Sequence, residues 1–246
     1  MPPLEHHPPR VRRRGLHSEV VATMGLRIVR GDHRPGEVLP RADALASQLG
    51  VSRSVVREGI RVLTEKGLVV ARQRAGTSVR PREDWDLADP DVIGWLRQVG
   101  PDVAFFRDLT EVRLAIEVMA SRLAARRATV VEVARMRAAL AEMRLRVADR
   151  EAYIRADLDL HATILRATHN TLLAQISLTI TEGLVASREV TVRPDGSMED
   201  VLPMHDDVIE AIASGDETRA EATMTRLVGR ALGDIETILG PDGRRP

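Results

Sequence analysis

Leu39-Pro40-Arg41-Ala42-Asp43-Ala44-Leu45-Ala46-Ser47-Gln48-Leu49-Gly50-Val51-Ser52-Arg53-Ser54-Val55-Val56-Arg57 opens a stretch that runs on to Val79 and decides the fold. Pro40 precedes a helix whose Ala42, Leu45, Ala46 and Leu49 form one apolar side. Gly50 supplies the tight turn between two helices. Ser52 is an N-cap for the next helix, which runs to about Lys66 before Gly67 stops it. At about 100° per residue, Arg53, Ser54, Arg57 and Arg61 fall in one sector and Val56, Ile60 and Leu63 in another, so one face packs and the other is free. Beyond Gly67, Leu68-Val69-Val70 and Thr77-Ser78-Val79 read as two strands joined by Ala71 to Gly76. Helix, turn, helix and hairpin in that order spell a winged helix-turn-helix, and the activity this points to is DNA binding.

Recognition helices present their N-terminal residues to base edges, which selects Ser52, Arg53, Ser54 and Arg57 for the major groove. Arg72, Gln73 and Arg74 stand at the hairpin tip ahead of Gly76, where a wing meets phosphate or minor groove. The bland alternatives are a surface helix with solvated arginines and a solvated hairpin tip. Upstream, Leu16, Val20, Met24 and Ile28 recur every four positions as the stripe of an amphipathic helix that Gly31 ends, and Pro35-Gly36 makes a turn. The Pro-rich residues 1–15 read as a disordered arm. Its arginines Arg12 to Arg14 are either solvated or in reach of DNA phosphates.

Charge is partitioned along the chain. The formal net charge is zero, with 36 basic and 36 acidic residues, yet residues 1–80 hold 15 basic against 7 acidic side chains. The basic first third suits a polyanion; the acidic remainder does not. A chain of 246 residues accommodates one small and one medium domain, each with its own core. The absence of cysteine excludes disulfides and thiolate metal sites and fits a reducing, cytoplasmic setting. After Arg10 to Arg14, the charges at His17, Glu19, Arg27 and Arg30 leave no apolar signal region, and no segment reads as membrane-spanning.

Pro35-Gly36 with Leu39-Pro40, Leu45-Ala46, Leu49-Gly50-Val51-Ser52-Arg53, Val56-Arg57-Glu58, Leu63, Gly67-Leu68-Val69 and Gly76-Thr77 closely resemble the N-terminal domain of the GntR family of bacterial transcription regulators. That family often has a Glu-Arg pair where Ala42-Asp43 stand here. The contact such an arginine makes is then lost or moved, with Arg41 the nearest substitute.

Downstream, residues 81–103 hold Trp85, Trp95, Pro90 and Pro101 and read as a linker carrying one short helix, Asp91 to Gln98, capped by Asp89-Pro90. Helical stripes follow at Phe105 to Arg127, Val130 to Val147, Glu151 to Ala167, Leu172 to Arg188, Pro203 to Ala213 and Glu217 to Leu239, with a loop from Thr191 to Val201. No strand alternation competes with them. The expected fold is mainly α: a winged helix-turn-helix over 16–80, then an all-α bundle of six or seven helices over 104–240, which binds an effector and dimerises, and a tail at 241–246.

Two of these helices carry polar residues where the pattern asks for apolar ones. Ile154, Leu158, His161 and Leu165 form a stripe with Asp157 one turn before His161, and His205 precedes Ile209 and Ile212 at helical spacing. A carboxylate and an imidazole at i, i+4 can grip one metal ion, and a second imidazole can close the site from across the bundle. By spacing alone this signal is weak, since core histidines satisfied by a carboxylate are common.

This second domain resembles the effector domain of the FadR subfamily. There the pattern is an Asp-x-x-x-His pair, a later His ahead of an Ala-Ile-x-x-Gly-Asp run, and a last His on the final helix. Asp157, His161 and His205 match the first three, and Leu227 stands at the fourth. The resemblance implies a divalent ion, zinc, nickel or manganese, held by Asp157, His161 and His205. The missing ligand leaves either a coordination position for a carboxylate effector or a pocket that works without metal. Arg113 matches an arginine that lines such pockets and is set either to reach an effector carboxylate or to pair on the surface. His169-Asn170 reads as a helix end. The Trp85 to Trp95 segment and Thr191 to Pro194 resemble members that answer to sugar acids such as galactonate or gluconate.

The expected protein is a homodimeric regulator, a repressor, that reads a palindromic operator and is retuned by a small organic acid bound through Arg113, Asp157, His161 and His205. Two-fold symmetry doubles the contacts that one small domain makes with a half-site. The rival is a metal-dependent hydrolase or lyase of small carboxylates with an N-terminal targeting domain. No His-Glu-x-x-His, Gly-x-Ser-x-Gly or phosphate-cradling glycine loop supports that rival, so no catalytic residue is assigned.

Overall fold

The computed structural model describes residues 15–72, 75–100, 102–192 and 197–239. Gln73 and Arg74, the arm before residue 15, Pro194 and Gly196, and the tail from residue 240 lie outside the described residues. The chain divides into two compact units, residues 1–99 and 100–246.

In the first unit, α1 (Leu16–Arg30) ends where Gly31 adopts φ 89°, a left-handed conformation that glycine enters without strain. Next come α2 (Ala42–Leu49) and α3 (Arg53–Glu65), separated by Gly50 at φ 66°. The Ser52 hydroxyl accepts from the Val55 N–H at 3.4 Å, the cap that its position called for. Strands β1 (Val69–Arg72) and β2 (Gly76–Val79) pair antiparallel from Val69 opposite Val79 to Arg72 opposite Gly76. A further bridge from Val38 to Ser78 ties the segment before α2 to the wing. Val20, Met24, Ile28, Leu45, Val56, Leu63, Leu68 and Val79 make the core. Gly59 lets α1 and α3 approach, because a Cβ there would sit 2.7 Å from Val20 Cγ1.

The segment read as a linker is part of this unit. After a single 3-10 turn at Arg82–Asp84, α4 (Pro90–Val99) places Trp95 and Leu96 in the core, and the Trp95 ring packs against Gly25 of α1. Lys66 Nζ anchors the start of α4, 2.7 Å from Asp89 and 2.8 Å from Asp91. An apolar tryptophan face is worth more buried on α1 than exposed along a tether.

The second unit contains α5 (Val103–Arg127), α6 (Val130–Leu145), α7 (Arg150–Arg166), α8 (Thr171–Thr191), α9 (Ser197–Ala213) and α10 (Glu217–Leu239). Side-chain caps start five of them: Asp102, Thr129 in a capping box with Glu132, Asp149, Asn170 and Asp216. Asn170 accepts from Leu172 and Leu173, and His169 turns the chain at φ 51°, so this pair joins α7 to α8. Helix α5 lies along α10, α6 along α7, and α9 against α10 and α6.

The expected loop from Thr191 to Val201 is shorter than the sequence suggested. Helix α8 continues to Thr191 and α9 begins at Ser197, with Pro203 inside it. Proline removes one N–H donor, but Glu199 and Asp200 in the first turn complement the positive end of the helix. The added turns carry Val201, whose carbonyl matters below.

Candidate functional site

The exposed N-terminal end of α3 holds the predicted base-reading residues. Ser52 Oγ lies 2.9 Å from Ser54 Oγ. Arg53 Nε is 2.6 Å from Asp43 Oδ1, with both side chains mostly solvent-exposed. Asp43 is the acid that stands where the family often has arginine, and it pairs with an arginine that the sequence assigned to the major groove. Arg57 is exposed and makes no ion pair among the described residues. Arg61, one turn on, is claimed by Glu58 and Glu65 on its own helix. Arg41 is exposed at the start of α2, and Arg72 is exposed at the end of β1. Gly76 begins β2 at φ 89°, where a Cβ would meet Val38 at 3.1 Å. Gln73 and Arg74, assigned to the wing tip, lie outside the described residues.

In the second unit, the four polar residues singled out from sequence come together. Arg113 on α5, Asp157 and His161 on α7 and His205 on α9 are all 3% exposed or less. All but His161 line one cleft of roughly 470 Å³, part of it open to solvent, together with Tyr153, Arg188 and Leu227. Asp157 Oδ1 is 3.0 Å from His205 Nε2 and 3.7 Å from His161 Nε2. Arg113 is buried, not a surface residue, and its Nε donates to Glu117 Oε1 at 2.6 Å.

Two residues that sequence reasoning passed over complete the cluster. Glu117, four residues after Arg113 on α5, places Oε2 2.5 Å from His161 Nδ1, a close contact not aligned as a hydrogen bond. Arg188, read only as a helix end, donates through Nε to Asp157 Oδ2 at 2.5 Å and through Nη2 to His161 Nε2 at 3.1 Å. The i, i+4 spacing of Arg113 and Glu117 was a signal in the sequence. The spacing of Leu184 and Arg188 on one buried face of α8 was another.

These contacts set the protonation of both rings. A guanidinium only donates, so His161 Nε2 accepts and its proton sits on Nδ1, facing Glu117. Burial holds His161 below its ordinary value against the pull of Glu117 and Asp157, which keeps it neutral. Burial opposes the charge on Asp157, but Arg188 and the two imidazoles outweigh it and hold that carboxyl well below the usual range. Arg113 and His161 likewise overcome burial at Glu117. The cleft thus contains two carboxylates and two guanidiniums, a balanced buried set.

His205 gives the sharpest test of metal fit. Its Nδ1 donates to the Val201 carbonyl at 2.8 Å, leaving Nε2 aimed at Asp157 Oδ1. Neither partner can donate, so a proton or a cation has to lie between ring and carboxylate. A metal-ligating histidine characteristically anchors its other nitrogen on a carbonyl or carboxylate, as His205 does on Val201, while His161 only turns Nδ1 towards Glu117. The ligand atoms of Asp157, His161 and His205 lie within 4.8 Å of one another. Two imidazoles and a carboxylate fit zinc, nickel or manganese. Leu227 lines the same cleft from α10 and offers no donor.

A winged helix-turn-helix unit followed by a separate helical unit is the architecture of a class of transcription regulators. Residues 16–79 match the model of bacterial regulatory proteins of the gntR family, and residues 108–230 match that of the FCD domain. The chain belongs to the GntR family, with the FCD type of second domain, and is a DNA-binding transcription regulator, not an enzyme. It is 32% identical to the galactonate operon transcriptional repressor of Escherichia coli K12 over 89% of this chain and 96% of that one. It is 31% identical to the regulator LutR of Bacillus subtilis over 80% of this chain and 90% of that one. The solved structure of Lar, which controls the expression of the Listeria monocytogenes agr system, shares the fold with a TM-score of 0.67, at 19% identity over 92% of this chain and 99% of that one. No helix among the described residues is long and apolar enough to cross a membrane.

Proposed function

We propose that this protein is a homodimeric cytoplasmic repressor that binds a palindromic operator through Arg41, Ser52, Arg53, Ser54, Arg57 and the wing residues Arg72, Gln73, Arg74 and Gly76. A small sugar acid of the galactonate class, bound in the cleft with a divalent ion, releases it. The observation that carries this reading is the convergence of Asp157 Oδ1 and the two Nε2 atoms beside two buried arginines. The name of the galactonate relative supports the acid class.

The roles divide by chemistry. Asp157, His161 and His205 hold the ion, which supplies positive charge and open coordination positions for the acid's carboxylate and adjacent hydroxyl. Arg113 and Arg188 offer forked donors to the same carboxylate. Leu227, in place of a fourth ligand, leaves the space in which the acid binds.

Fluorescence anisotropy with labelled operator tests the proposal directly. Galactonate or gluconate with zinc is expected to release the wild type, and Asp157→Ala is expected to stay bound under the same conditions. A wild type that keeps its operator affinity at saturating sugar acids and dicarboxylates, with and without metal, refutes effector control through this cleft.

A further inference from the structure

Arg188 stands where the cation belongs. Its guanidinium is 6% exposed and bonds two of the three candidate metal donors, Asp157 at 2.5 Å and His161 at 3.1 Å. It occupies His161 Nε2, the nitrogen a metal ion needs, whereas on Asp157 it takes Oδ2 and leaves Oδ1 facing the two imidazoles. The opposing face on α10 presents Leu227, which neither competes for Arg188 nor supplies a ligand. With Arg113 paired to Glu117 and Arg188 to Asp157, each buried carboxylate already has a cationic partner before any ion binds.

We infer that Arg188 is a gate that makes metal and carboxylate binding interdependent. In the closed state the Arg188 guanidinium serves as the internal cation of Asp157 and His161. A divalent ion placed on those donors sets two further positive charges against a buried arginine, which disfavours the ion by itself. A carboxylate entering the cleft gives Arg188 a new forked partner and offsets part of the added charge. Arg188 then leaves His161 Nε2 together with Asp157 Oδ2, and that nitrogen becomes free to join Asp157 Oδ1 and His205 on the metal. The acid therefore tightens metal binding and the metal tightens acid binding by the same factor. This rests on the metal reading of the cleft and adds to it a regulatory element that none of the three ligands provides.

The same geometry distinguishes Arg188 from a structural ion pair. A purely structural arginine orients Asp157 for the metal, so its loss loosens metal binding. A gate competes with the metal, so its loss tightens it.

Competition of zinc between a fluorescent chelator and metal-stripped full-length protein tests the inference, with sodium galactonate, gluconate and L-lactate as carboxylate probes. In the wild type at least one acid is expected to tighten zinc binding tenfold or more. Arg188→Gln is expected to bind zinc at least tenfold more tightly than wild type without acid, and to gain less than twofold from it. Arg188→Lys keeps a cation beside Asp157 and is expected to stay within threefold of wild type without acid, which also controls for misfolding. Equal or weaker zinc binding by Arg188→Gln overturns the gate, as does wild-type zinc affinity that none of the three acids changes. Zinc binding by neither protein under any condition removes the metal reading itself, so the two failures are separable.

Discussion

Replacing Asp43 by Asn is expected to tighten operator binding, although it introduces no DNA contact. Arg53 Nε lies 2.6 Å from Asp43 Oδ1, and the two side chains are 72% and 63% exposed. An exposed ion pair of this kind is worth about 0.2–1 kcal/mol. Arginine paired bidentately to a guanine discriminates by about 1–3 kcal/mol, so the DNA contact wins and Arg53 leaves Asp43 on binding. Removing the acid removes that cost, which corresponds to a Kd lower by about 1.4- to fivefold. Arg53→Ala is expected to weaken binding by about five- to 150-fold on the same scale. Fluorescence anisotropy at fixed salt measures both, and the double variant decides the route. If Asp43 acts by holding Arg53, its replacement changes nothing once Arg53 is alanine; a gain that persists reports repulsion of phosphate instead. Asp43 also sits in the first turn of α2, where a carboxylate stabilises the helix by about 0.3–1 kcal/mol, so a thermal melt accompanies the titration. Wild-type affinity in Arg53→Ala, or weaker binding by Asp43→Asn, refutes the reasoning.

Other expectations are as direct. With six to ten phosphates neutralised, operator affinity falls by about 10³ to 10⁵ between 50 and 200 mM salt, and a flat salt dependence excludes the proposed basic face. Glu117→Gln strands the buried Arg113 and costs about 3–5 kcal/mol in denaturant unfolding; a loss well below 1 kcal/mol contradicts the buried pair. In chelator-treated protein, melting temperature is expected to drop as pH falls below about 6.5. His161 is held under its ordinary value of 6.5, so the unfolded chain binds a proton that the folded one does not, and the stability present above 6.5 is lost on acidification. Further loss follows below the ordinary values of Glu117, 4.5, and Asp157, 3.8, both held lower in the fold. A melting temperature that rises between pH 7 and about 5.5 refutes this. Gly25→Ala puts a Cβ 2.4 Å from the Trp95 ring, and its overpacking cost of about 1–3 kcal/mol appears in unfolding of the first unit.

Much of the fold was legible because its signals are local. Ser52 caps α3, Gly31, Gly50 and Gly67 take left-handed turns, and the stripe of Val56, Ile60 and Leu63 needs only a period of 3.6 to be read. Asp157 and His161 were legible for the same reason, since four residues along one helix are one turn in space whatever surrounds them. Residues whose meaning depends on another element were not. Pro203 reads as a helix start in isolation, yet α9 passes through it, and only those earlier turns supply the Val201 carbonyl that orients His205. Trp95 reads as part of a linker until α1 offers Gly25 beneath its ring.

The sequence by itself determined the order of elements, the face of α3 that is free, and four of the residues that converge in the second unit, Arg113, Asp157, His161 and His205, because each stands out at helical spacing within one segment. Tertiary structure alone decided that Asp43 engages Arg53, that Glu117 faces His161, and that Arg188 reaches both Asp157 and His161. The physical reason is that a buried charge is placed by whichever opposite charge the packing of other helices brings within reach, and no periodicity along one helix records that choice.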